Sequence, residues 1–115
     1  MSQVLKYETP LSLTGIRDLH LDLTLPLSYK SETLASVTVT SSDTSLVTIS
    51  SEQVNSGELT NDDGTTAAIG KAAQWRATAV KGSTSRVYID VAWTGTGGTA
   101  DTHRIELDLE PYVVE

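Results

Sequence analysis

Between Trp75 and Glu110 the chain runs through three segments, QWRATAV, RVYIDVAW and THRIELDLE, separated by KGSTS and TGTGGTAD. In the middle segment Val87, Ile89, Val91 and Trp93 fall on one face, and Arg86, Tyr88, Asp90 and Ala92 on the other. In the last, Ile105, Leu107 and Leu109 oppose Arg104, Glu106, Asp108 and Glu110. Side chains on a strand point alternately to its two faces, so alternation of this length predicts half-buried strands in an antiparallel sheet.

Earlier segments carry the same signal more briefly. Leu19, Leu21, Leu23 and Leu25 alternate with His20, Asp22 and Thr24, predicting a strand over 19–25 that Pro26 ends. Residues 28–33 read as a loop. A strand follows over Leu34–Thr40, with Ala35, Val37 and Val39 on one face. Ser41–Ser45 reads as a turn in which Asp43 accepts backbone hydrogen bonds, and Leu46–Ser50 as a short strand. Within the polar stretch 51–66, NDDGTT is a turn signal because Gly64 tolerates positive φ. AAIGKAA over 67–73 fits either a helical turn or an irregular connection. Residues 1–18 form an N-terminal segment, read either as an edge strand around Val4–Tyr7 or as a docking arm, and 19–115 form one domain.

Turn signals recurring about every ten residues predict an all-β, immunoglobulin-like antiparallel β-sandwich of about seven short strands. At 115 residues the chain can bury roughly two thirds of its unfolded surface, enough for one modest core. With no phenylalanine, that core is Leu, Val, Ile and Ala, with Trp75 and Trp93 as the large fillers. Thr and Ser make up about a quarter of the residues, and threonine suits exposed strand faces. A tyrosine corner is not expected, because Val87 holds the core position and Tyr88 the opposite face.

The net charge of −7 argues against nucleic acid and anionic membranes as partners, since nothing here would replace phosphate counterions. It is read as solubility, or as fit to a basic patch on a protein. The absence of cysteine excludes disulfides, thiolate metal sites and cysteine nucleophiles, and fits assembly in a reducing cytoplasm. The opening segment MSQVLKYETPLSL has neither the basic start nor the unbroken apolar stretch of a signal peptide.

Gly95-Thr96-Gly97-Gly98-Thr99-Ala100 matches a dinucleotide-binding pattern, but the following residues alternate as a strand where that site needs a helix. It is therefore read as a hairpin turn. His20 and His103 are read on the polar faces of their strands, too scattered for a metal site. No nucleophile motif is present. No enzymatic activity, cofactor or metal is expected.

The run of strand, KGSTS turn, RVYIDVAW, GTGGTAD turn and THRIELDLE resembles the small immunoglobulin-like structural proteins of tailed phages, some described as fibre–tail adaptors or neck proteins. The likeness extends over about Leu34–Leu109. It implies a non-enzymatic virion component made in the bacterial host cytoplasm. Such a protein would attach in several copies to the neck, tail or capsid surface, among connector, tail, fibre or capsid proteins. The residues expected at such interfaces are Leu5 and Tyr7, the loop residues Asn61, Asp62 and Asp63, and the tail residues Tyr112, Val113 and Val114. The alternative is a carbohydrate-binding or adhesion module with an exposed Trp75 as its sugar platform.

Overall fold

The computed structural model describes residues 4–6, 11–12, 15–80 and 85–110. Along the chain these form β1 (Val4–Lys6), β2 (Leu11–Ser12), β3 (Ile16–Asp22), a short helix α1 (Thr24–Ser28), β4 (Leu34–Ser41) and β5 (Val47–Val54). There follow β6 (Leu59–Thr60), β7 (Thr66–Ala67), β8 (Ala72–Ala79), β9 (Ser85–Gly95) and β10 (Ala100–Glu110).

One sheet has the order β1–β10–β9–β4, with β2 also on β10; the other has β3–β8–β5. β6 and β7 pair as a separate hairpin. This is the immunoglobulin arrangement: β3, β8 and β5 stand as strands B, E and D, and β4, β9 and β10 as C, F and G. The fold class is thus an all-β sandwich. Its described residues hold ten strands, six of seven residues or more and four of only two or three. It is antiparallel except at its N-terminus, where β1 and β2 both run parallel to β10. β3 already begins at Ile16, so the 18/19 boundary falls inside a strand.

The long alternating runs form the hairpin β9–β10, in register from Ala100↔Thr94 to Leu109↔Ser85. QWRATAV does not join them: it lies in β8, and the chain crosses to the other sheet before β9. Between the sheets, Val39, Val87, Ile89, Val91, Trp93, Ile105, Leu107 and Leu109 face Leu19, Val47, Ala73, Trp75, Ala77 and Ala79. The alanines of β8 flank Trp75 at every second position, leaving the indole the space that a larger neighbour would fill. Outside, charges pair directly across strands. Arg104 is bidentate on Asp90 (2.8 and 3.0 Å), and Arg86 reaches Asp108 (3.0 Å) and Glu106 (2.8 Å). The Arg104 guanidinium also lies 5.1 Å from the centre of the Tyr88 ring, fixing that tyrosine on the outer face while Val87 is buried.

The leucine-rich run near residue 20 departs from its reading. Period-two spacing ends at Leu23, and Pro26 lies inside α1 instead of ending a strand. Proline is tolerated there because the first turn of a helix has no use for its missing N–H. Helical geometry then puts Leu23 and Leu27, four apart, in the core and leaves Leu25 71% exposed. All odd positions from 19 to 27 are leucine, so alternation alone could not mark the change. Ala35 is likewise exposed, because an irregularity between Leu34 and Ser36 makes it the extra residue of β4. β5 extends to Val54, four residues beyond the expected end. Asp43 behaves as expected, its Oδ1 accepting from the Ser45 amide at 3.0 Å. Gly64 turns the β6–β7 hairpin at φ 88°.

Replacing Leu27 by alanine is expected to destabilise the protein by about 2–5 kcal/mol, while Leu25→Ala stays within about 0.5 kcal/mol. Urea denaturation of the two variants checks this.

Candidate functional site

Antiparallel pairing brings the ends of β3, β5 and β9 and the starts of β4, β8 and β10 to one pole of the sandwich. The pole is built on α1. Its last turn closes with the Ser31 amide donating to Ser28 O (3.3 Å) and the Glu32 amide to Leu27 O (3.0 Å), with Ser31 at φ 52°. That pair of bonds around a left-handed residue is a Schellman motif, and it sets the direction of Glu32.

Glu32 is only 2% exposed, and its carboxylate enters the turn between β9 and β10. Oε1 accepts from the amides of Gly97 (2.5 Å) and Thr99 (3.2 Å), and Oε2 from the Thr99 hydroxyl. A Cβ on Gly97 would stand 2.7 Å from Oε1, so only glycine admits the carboxylate. The glycine cluster is thus an anion cradle, but the anion is the chain's own. The Thr99 hydroxyl and the two turn amides hold the Glu32 carboxyl below its ordinary range. Lys71 Nζ donates to the Glu32 backbone oxygen, and Thr96 N to Thr33 O (2.8 Å). Asn55, also buried, uses its whole amide: Nδ2 donates to Gly57 O and Ala68 O (both 2.9 Å), and Oδ1 accepts from the amides of Gly70 and Ala72 (both 3.0 Å). Four loops, those joining α1 to β4, β5 to β6, β7 to β8 and β9 to β10, are thereby tied into one body. On it Leu25, Tyr29 (81% exposed) and Ile69 (63%) face solvent.

A second feature is a groove of about 620 Å³ between the outer face of β3 and the β6–β7 hairpin, lined by Arg17, Asp18, His20, Asp22, Asn61 and Asp62 among others. Asn61 bridges it: Oδ1 lies 2.8 Å from His20 Nε2, and Nδ2 donates to Asp22 Oδ2 (2.8 Å) and Thr65 Oγ1 (3.0 Å). Burial pushes the Asp22 carboxyl up, but hydrogen bonds from Thr24 and Asn61 outweigh it and hold it low. The Thr65 hydroxyl and amide lower Asp63. Bonds within the protein thus occupy the polar groups that bridge this groove.

Of the residues expected at interfaces, Asn61 is a partly buried latch between hairpin and sheet, while Asp62 and Asp63 are exposed beside it. Leu5 sits on β1, opposite Ile105 in the protein's own sheet. Tyr7, Tyr112, Val113 and Val114 lie outside the described residues. His20 is on the outer face of β3 as expected. His103 is not on a polar face: it shares the core face with Ile105, half-buried, its ring stacked on Trp93 at 6.2 Å between centroids and 5° between planes. Residues 103 and 105 have the same parity, so this was open to view in the sequence. Among the described residues no group of three His, Asp or Glu side chains is placed to hold a metal ion, and no helix is long and apolar enough to cross a membrane. Trp75 is 2% exposed, so the sugar platform of the alternative reading does not exist. The apolar trio and Glu32 were missed. Leu25 looked like core, and a glutamate in a polar loop gives no signal of burial.

No protein-family model matches the chain, and no curated protein matches it.

Because folding lowers the pKa of Glu32, its contribution is complete above the ordinary glutamate range and is lost as pH falls through the folded value. Glu32→Gln is therefore expected to lower stability at neutral pH and to flatten the acid limb of a stability–pH profile. Both indoles are expected to emit at short wavelength and resist acrylamide quenching, with no change on adding soluble saccharides.

Proposed function

We propose that this chain is a non-enzymatic structural component of a tailed-phage virion, a rigid immunoglobulin-like module held in several copies by neck, tail or capsid proteins. The observation that carries the reading is the loop pole, where Leu25, Tyr29 and Ile69 are exposed on a framework fixed by Glu32 and Asn55. Apolar side chains on a preorganised surface lose little freedom on docking, which favours protein–protein contact. Repetition around a symmetric ring would make weak single contacts strong together. The acidity suits a basic partner patch, and the sequence resemblance supplies the virion setting. The protein would be made in the bacterial cytoplasm and act on the particle.

The test is mass photometry of the purified chain, alone and mixed with disrupted particles or connector proteins from its source. The expected result is recruitment into a ring-sized assembly, abolished by Leu25→Asp with Tyr29→Ala while the melting temperature is unchanged. A chain of 12.3 kDa that stays monomeric against every virion fraction would overturn the reading.

A further inference from the structure

β4 ends its sheet, so among the described residues one side of it has no neighbouring strand. An unpaired strand edge is a template for another chain, and proteins usually blunt it with charge, proline or a bulge. The sequence of β4, LASVTVTS, has no charge and no proline and is rich in β-branched residues, and its one irregularity, at Ala35, leaves Ser36–Ser41 in unbroken register with β9. Left bare, it would be a ready site for edge-to-edge pairing.

The protection comes from the other sheet. β5 pairs with β8 at Ser50↔Arg76 and next at Gln53↔Gln74, so Ser51 and Glu52 together oppose the single residue Trp75. Such a bulge re-aims side chains. Ser51 adopts φ 55°, a left-handed conformation that residues other than glycine seldom take. The outcome is that the Glu52 carboxylate accepts the amide hydrogen of Val39, in the middle of β4. Strain in one edge strand is matched by closure of another, and a local outlier of this kind points to a function.

We infer that Glu52 is an edge guard: it occupies the outward amide at the middle of β4, that of Val39, and keeps a second copy of this chain from pairing with it strand to strand. The occupant it excludes is another β4, antiparallel across a two-fold axis, because that edge is self-complementary. The inference stands apart from the proposed virion role.

Light scattering over a concentration series, with amide hydrogen exchange at Val39, tests it. The wild type is expected to be monomeric with Val39 protected. Glu52→Ala should speed Val39 exchange roughly tenfold and produce concentration-dependent association. Glu52→Gln keeps a carbonyl acceptor and should retain most of the protection. Adding Thr38→Lys, an exposed position on β4, to the alanine variant should restore the monomer, since an edge lysine opposes pairing. The inference is overturned if Val39 exchange is the same in all variants, or if the glutamine variant exchanges as fast as the alanine one. It is equally overturned if Glu52→Ala stays monomeric, or if Thr38→Lys leaves its association intact.

Discussion

The Glu32 carboxylate, buried among the donors of the β9–β10 turn, is the contact on which the loop pole depends. A buried charge is tolerable only where hydrogen bonds replace its hydration. Here two backbone amides and a hydroxyl do so, and Lys71 adds its ammonium to the same residue's backbone oxygen. The carboxylate's own bonds join segments more than sixty residues apart in sequence. They fix the register of α1 against the long hairpin, and with it the positions of Leu25 and Tyr29. The glycines that looked like a phosphate loop serve the same physics, presenting unpaired amides to an anion, with the anion supplied in cis.

A common pattern runs through the molecule. Groups that elsewhere would meet a ligand are met by the protein itself. Glu32 fills the amide cradle, Asn61 spans the groove beside β3, and Glu52 covers the β4 edge. Internal satisfaction of this kind makes loops and edges rigid. In the proposed role, a fixed pole and a guarded β4 edge let copies dock through their loops without pairing strand to strand.

The hairpin β9–β10 was legible because both its strands lie on the core with one face, where burial imposes period two on the sequence. The same reasoning found the second half of β3, the body of β4, the Asp43 turn and the Gly64 hairpin. It failed where two periods coincide. Leucine at every odd position from 19 to 27 satisfies a strand, and it also supplies the Leu23–Leu27 pair that a helical turn needs. Bulges were invisible for a related reason: a single extra residue, such as Ala35 or the Ser51–Glu52 pair, leaves no compositional mark.

By itself the sequence determined the sandwich, because alternation, turn chemistry and the β-branched content are local and agree with one another. It also placed Trp93 in the core, on the face of Val87, Ile89 and Val91, while the exposure of Trp75 was settled only by the closed sandwich. Tertiary structure alone decided which strands share a sheet, which polar residues are buried and which apolar ones are not. The crossing from β8 to β9, the burial of Glu32 and the exposure of Tyr29 each depend on partners far along the chain. A residue's local pattern carries no record of those partners, so their energies enter only when the two sheets close on each other.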